Sequence, residues 1–472
     1  MTGIAIPHLT LDERTSRGKE ARILTTQSSH AGWKPATDRP DPVALLVEQN
    51  ASRDPDLVPV RHGRMLVSPF TFYRGAAKIM AADLQHTPTA GLTVQLCGDA
   101  HLSNFGLYAS PERHLLFDLN DFDETLPGPF EYDVKRLAAS FTIAARNNGF
   151  AKADTRATTL AVTAAYREAM GDFAGMSTME VWYSHMAEDA LLKVVGAAGK
   201  NGGKPSRQLK GTRKILAKAH TRDSTQALAK LAEVVDGQQR IVSDPPIVVP
   251  ARDLAATYGF SPEEVPTLVR EQFRAYRATL QDDRRHLLER FQVVDMARKV
   301  VGVGSVGTRA FIVLLQGRDE RDPLFLQIKE ATSSVLEEYL PKSRYRQHGA
   351  RVVNGQRMMQ AASDIFLGWT RGVDVERHFY WRQLRDMKGS VDPELTLPAG
   401  LLLYGQLCGW TLARAHARSG DPVAIAAYLG RSDKFDRSIA DFSQRYADQN
   451  DLDFEEFTKA VRSGRLEATE GI

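Results

Sequence analysis

Cysteine is nearly absent from these 472 residues: only Cys97 and Cys408 occur. Two thiols so far apart exclude a disulfide framework, and no cysteine pair has the spacing of a metal site. The usage suits a reducing compartment. Long apolar runs are lacking as well. No stretch approaches the roughly 18 uninterrupted apolar residues of a membrane span. The opening Met1-Thr2-Gly3-Ile4-Ala5-Ile6-Pro7-His8 leads into Asp12, Glu13, Arg14 and Arg17 instead of the apolar core of a signal peptide. The expectation is a cytoplasmic protein with no membrane partner. Charge of one sign is also missing: 61 Lys and Arg against 58 Asp and Glu leave +3, too little to point to nucleic acid.

What is present is an ordinary globular composition, long enough for several folding units. Residues 1–40 are polar, aperiodic and proline-bearing, and read as a flexible arm. A helix-rich segment spans 41–195. It includes helical stretches at Phe72–Leu84 and Phe130–Asn147 and short strands at Leu92–Leu96 and His114–Phe117. Residues 196–290 read as a helical insertion, with a Gly- and Lys-rich loop and helix from Ile215 to Val235. From about 291 to 390 the chain turns to Val, Ile and Phe. Strands are expected in Phe291–Gln316, Pro323–Glu330, Val352–Met359 and His378–Trp381. Residues 391–472 read as C-terminal helices packing on the helix-rich segment.

Two clusters carry chemistry. In the first, Cys97-Gly98-Asp99-Ala100-His101-Leu102-Ser103-Asn104 follows one short strand, and Asp118-Leu119-Asn120-Asp121-Phe122-Asp123-Glu124 follows the next. Phosphoryl transfer from ATP needs one carboxylate to orient an acceptor hydroxyl, and a second carboxylate and an amide oxygen to hold magnesium. The bland alternative for Asp118 to Asp123 is an acidic turn with capping roles. In the second cluster, Gly302-Val303-Gly304-Ser305-Val306-Gly307 precedes the β-branched run Arg309–Gln316. A dinucleotide site would need a helix there, whereas a strand-loop-strand glycine loop fits the residues that follow. A tight glycine hairpin is the alternative with no ligand. Lys329 ends the next apolar run.

The first cluster resembles the His-Gly-Asp-x-x-x-x-Asn loop of aminoglycoside and choline phosphotransferases, which share the protein-kinase fold, with Cys97 in place of the usual His. The resemblance implies Asp99 as base, Asn104 and Asp118 as metal ligands, and Asp133 as a brace. His101 is expected to hold the loop backbone. In the second cluster, Gly302, Gly304 and Gly307 would cover ATP. Lys329 would reach its phosphates and Glu337 would pair with Lys329, with Glu338 and Glu330 as alternatives. The glycine loop comes roughly 200 residues after the Asp99 loop, so the implied fold is α+β, kinase-like, two-lobed and circularly permuted. Tyr404–His416 or Gly75–His86 would supply the helix before the catalytic loop.

Phe72-Tyr73-Arg74-Gly75-Ala76-Ala77, Cys97–Gly106, Phe117–Thr125, Gln327–Ala331 and Tyr446–Gln449 resemble the bacterial family catalogued as domain of unknown function 2252. The expected activity is ATP- and magnesium-dependent phosphotransfer to a hydroxyl-bearing small molecule or protein. Nucleotide binding without transfer and transfer of AMP are the alternatives. Arg74 is a candidate for an anionic substrate or for packing on aromatics, and Tyr73 and Trp381 are candidates for ligand stacking or core. Lys200, Lys204, Lys210, Arg213, Lys214 and Lys218 are read as a solvated face with a flexible loop, the alternative being a contact for nucleic acid or an acidic partner.

Overall fold

The structure, a computed structural model, describes residues 8–198, 207–384 and 387–472. In chain order its helices begin with α1 (Leu11–Leu24), α2 (Pro42–Asn50), α3 (Val58–Met65), α4 (Pro69–Gly75) and α5 (Ala77–Leu84). Then come β1 (Thr93–Leu96), β2 (Phe105–Ala109), β3 (Leu115–Leu119), β4 (Leu126–Pro129), α6 (Phe130–Asn147), α7 (Lys152–Ala174), α8 (Thr178–Tyr183), β5 (Met186–Ala187) and α9 (Glu188–Ala198). A middle stretch holds α10 (Arg207–His220), α11 (Ser224–Leu231), the hairpin β6 (Ala232–Val235) and β7 (Gln238–Ile241), β8 (Val248–Pro250), α12 (Val265–Arg277) and α13 (Asp282–Leu288). The rest is β9 (Gln292–Lys299), β10 (Ala310–Gln316), β11 (Pro323–Glu330), α14 (His348–Met359), β12 (Gly368–Arg371), β13 (His378–Gln383), α15 (Pro398–Ser419), α16 (Pro422–Leu429) and α17 (Lys434–Arg462).

The fold is mixed α+β with antiparallel sheets. Its largest sheet has six strands in the order β12-β13-β11-β10-β9-β8. Successive side chains of β11 point to opposite faces. Leu326 and Ile328 pack with Phe273, Tyr276 and Trp381, where Tyr276 stacks on Trp381 at 4.5 Å. Gln327 and Lys329 therefore face the other way, and both line a cavity. The larger core joins α6, α7, α15, α16 and α17 to the strands β1 to β4. Among the described residues no helix is long and apolar enough to cross a membrane.

Several expectations are corrected. The arm read into residues 1–40 is ordered from residue 8 on, and residues 1–7 lie outside the described residues. A reciprocal Thr10–Glu13 cap starts α1. Arg22 then donates to the carbonyls of Ala427 and Tyr428, and Gln27 to those of Tyr428 and Leu429. These are carbonyls of the last turn of α16, which that helix cannot satisfy itself. The strand read into Val352–Met359 is α14. The helix read into Ile215–Val235 breaks before α11 and ends in the β6–β7 hairpin. The sheet begins at β8, well before residue 291. The Phe72–Leu84 stretch is split at Ala76 into α4 and α5, whereas α6 occupies Phe130–Asn147 as read. Of the basic stretch, Lys200 and Lys204 lie outside the described residues. Lys210, Arg213, Lys214 and Lys218 sit on the exposed face of α10, opposite buried Leu216 and Ala219.

Candidate functional site

The loop that leaves β1 is held by its backbone. Asp133, in the first turn of α6, accepts hydrogen bonds from the N–H groups of Cys97 (2.8 Å) and Gly98 (3.1 Å). Gly98 has φ +84°, and a Cβ there would overlap the Glu124 carbonyl. Ser140 Oγ accepts from the Leu102 N–H at 3.0 Å, and the Tyr404 hydroxyl donates to the Leu102 carbonyl at 2.8 Å. The buried His416 Nε2 lies 3.2 Å from Asp133. The imidazole that meets Asp133 thus comes from α15, and position 97 is left to a buried thiol whose pKa burial raises. Asn104 donates through Nδ2 to the Asp99 carbonyl at 2.7 Å. The Asp99 carboxylate receives Arg136 Nε at 2.8 Å, and the Arg136 guanidinium lies 3.9 Å from the centre of the Tyr73 ring. Tyr73 and Trp381 are both core residues with 0% and 1% exposure, so neither is placed to stack on a ligand. His101 lies 3.7 Å from Asp99, and burial lowers its pKa to about 4, which keeps it neutral.

Asp118 is placed elsewhere. It is buried in β3, ion-paired with Arg414 of α15, and accepts from the N–H groups of Leu119 (2.8 Å) and Ala361 (2.9 Å). It does not line the cavity that holds Asp99 and Asn104; Asp121, Asp123 and Glu124 do. Strand β3 runs one residue past Asp118, so the carboxylates facing the opening are those of the following loop. The signal was present in the sequence as the Asp121-Phe122-Asp123-Glu124 run, but nothing local separates it from an acidic turn.

From the sheet, Lys329 Nζ meets Asp123 Oδ2 at 2.5 Å and Asp121 Oδ2 at 3.7 Å. The Tyr380 hydroxyl donates to the other Asp123 oxygen at 2.7 Å. Burial opposes the charge of Lys329, but Asp121 and Asp123 outweigh it and hold its pKa above the ordinary value. Glu124 is partly buried and accepts from the Val335 N–H at 2.7 Å. Burial raises its pKa to about 7, against the pull of Arg351.

Lys329 is not paired with any of the three glutamates considered for it. Glu337 closes a capping turn with Ser334 and lies 3.8 Å from Arg351. Glu338 pairs with Lys78 at 2.8 Å, and Glu330 is held by Arg309 and Arg377. The glycine-rich segment does join two strands, β9 and β10. Gly302 (φ +65°) and Gly304 line the cavity. Gly307 (φ +85°) instead packs on the stem of Arg53, and its carbonyl accepts from the Asp54 N–H at 2.8 Å.

Asp99, His101, Asn104, Asp121, Asp123, Glu124, Gly302, Gly304 and Lys329 thus converge on one cavity of about 700 Å³. Arg53, Arg74, Lys78 and Arg382 line it too. Arg351 of α14 ties the two halves together as well, donating to the carbonyls of Asp123 and Thr332, both at 2.8 Å.

Residues 53–460 match the family described as "Uncharacterized protein conserved in bacteria (DUF2252)", and the chain belongs to that family. No curated protein and no solved structure matches it.

Proposed function

We propose that this protein is a phosphotransferase that binds ATP and magnesium in the 700 Å³ cavity and acts on a hydroxyl-bearing acceptor, through a kinase-like cleft with permuted motif order. The observation that carries this reading is the meeting of Lys329 with Asp99, Asn104, Asp121 and Asp123, groups more than 200 positions apart in sequence, in one cavity. Hard oxygen donors suit magnesium. Among the described residues no three His, Cys, Asp or Glu side chains form a closed metal centre. Magnesium is commonly held by one or two carboxylates together with phosphate oxygens.

ATP supplies the phosphoryl group and magnesium offsets its charge. Asp99 orients the acceptor hydroxyl and takes its proton. Asn104, whose amide nitrogen is fixed on the Asp99 carbonyl, would offer its oxygen to the metal together with Asp121, in place of the Asp118 expected from sequence. Lys329 and the glycine loop at Gly302 and Gly304 hold the phosphates, with Asp123 rather than Glu337 keeping Lys329 in position. Asp133 braces the loop that carries Asp99.

One observation favours a second reading, nucleotide binding without transfer: Arg136 already occupies one oxygen of the Asp99 carboxylate at 2.8 Å. Purified protein incubated with γ-labelled and, separately, α-labelled ATP and magnesium distinguishes these readings. γ-Label on an acceptor is expected. α-Label there would mean AMP transfer, and bound but unreacted ATP would mean a regulator. Asp99→Asn is expected to lower turnover by roughly 10²–10⁴-fold with ATP binding intact. Failure of ATP to bind at millimolar concentration would remove the cleft assignment itself.

A further inference from the structure

Arg74, in the last turn of α4, lines the cavity next to the Asp99 loop. Most cations of that wall are already engaged. Lys329 is held by Asp121 and Asp123, and Lys78 by Glu48 and Glu338. Arg53 donates to the Val306 carbonyl, and Arg382 to Gln327. Arg74 differs: among the described residues it has no hydrogen-bond or ion-pair partner, and its Nε is buried without one. Burial depresses its pKa, partly offset by the charges of Asp99 and Glu394, yet a guanidinium stays protonated at any physiological pH. A partly buried cation with a buried, idle donor is costly until an oxyanion meets it.

The pairing in that corner points the same way. Asp99 is already paired with Arg136 at 2.8 Å and His101 is neutral, and Glu394, the other carboxylate near Arg74, makes no ion pair with it. Its charged neighbours are Asp99 and Glu394, not the Lys329–Asp121–Asp123 group at the metal end. The glycine loop comes close to Arg74, since a Cβ at Gly304 would stand 2.9 Å from its carbonyl oxygen. The planar fork of a guanidinium suits two-point binding of a carboxylate or phosphate.

We propose that Arg74 forms an anion subsite beside Asp99, and that the acceptor carries a carboxylate or phosphate group close to the hydroxyl that reacts. The role of acceptor rests on the phosphotransfer reading; the anion subsite does not.

The test titrates the full-length protein by calorimetry with inorganic phosphate and with L-phosphoserine, and in parallel with magnesium-ATP. Wild type is expected to bind both anions. Arg74→Gln is expected to weaken both by about tenfold or more, and Arg74→Lys by less, because it keeps the charge and loses the fork. Magnesium-ATP affinity is expected to stay within about threefold in both variants, which also shows that they are folded. Anion binding unchanged in Arg74→Gln overturns the proposal. So does a parallel loss of magnesium-ATP affinity, which would give Arg74 to the nucleotide phosphates. If wild type binds no magnesium-ATP but still binds phosphate through Arg74, the phosphotransfer reading fails and the anion subsite stands.

Discussion

Asp133 accepts the adjacent N–H groups of Cys97 and Gly98 and touches His416, all in the protein interior. Removing the carboxylate would orphan two buried donors at once. Asp133→Ala is expected to cost about 3–5 kcal/mol in urea unfolding, the range for breaking a buried charged network. A loss below about 1 kcal/mol would mean that the loop is held by other contacts. Glu124 gives a pH signature at the same scale. Its folded pKa of about 7 stands above the ordinary 4.5, so the protonated form is favoured by folding. The contribution is fully present below about pH 4.5 and is lost as pH rises through about 7. Glu124→Gln is therefore expected to gain stability relative to wild type between pH 5 and pH 8, by at most about 3 kcal/mol. A pH-independent difference between the two proteins would show that the group titrates normally.

Helix α14 shows why element type was only partly legible. Its apolar pairs Val352-Val353 and Met358-Met359 read as strand, and Gly349 and Gly355 lower helix propensity further. In the fold those glycines are needed for contact: a Cβ at Gly349 would overlap the Phe379 carbonyl, and one at Gly355 would overlap Thr125. This close approach lets Arg351 donate to the carbonyls of Asp123, Thr125 and Thr332. Arg351→Ala is expected to lower stability by about 2–4 kcal/mol and to weaken magnesium-ATP binding, because both halves of the cavity lose a common anchor. Thermal melts and calorimetric titration would show it. Intact ATP affinity in a destabilised variant would separate Arg351 from the site. By contrast, α6 was legible end to end, because its 3.6-residue apolar period is unbroken and nearly its whole length is buried.

At the scale of the molecule, residues 8–40 are part of the body. Besides the bonds from Arg22 and Gln27 to α16, His30 Nε2 lies 2.7 Å from the Tyr428 hydroxyl, and Trp33 packs on Tyr446 at 5.0 Å. Deleting residues 1–40 is expected to lower the melting temperature by several degrees, because these buried contacts are lost together. An unchanged melt would restore the reading as a flexible arm. The cavity draws walls from both the helix-rich half and the sheet, so a ligand that spans it should couple them. Magnesium-ATP at about 100 times its dissociation constant is expected to add about 2.7 kcal/mol, visible as an upward shift in melting temperature. No shift under those conditions would count against binding at this site.

The sequence alone determined the features that depend on neighbouring residues: the periodic helix α6, the strand pair flanking the glycine turn, the Asp99–Asn104 loop and its brace Asp133, and membership of the family. It also placed Lys329 at the end of a strand. Only the tertiary structure decided which carboxylates serve that lysine. Asp118 is claimed by Arg414, nearly 300 positions away, while Asp121 and Asp123 meet Lys329 more than 200 positions away. Such pairings are fixed by the packing of α15 and the sheet around the β2–β3 hairpin, and a local pattern carries no record of a partner that the chain supplies so much later. The same holds for α1, whose polar sequence has no apolar stripe and whose order comes from the open carbonyls of α16.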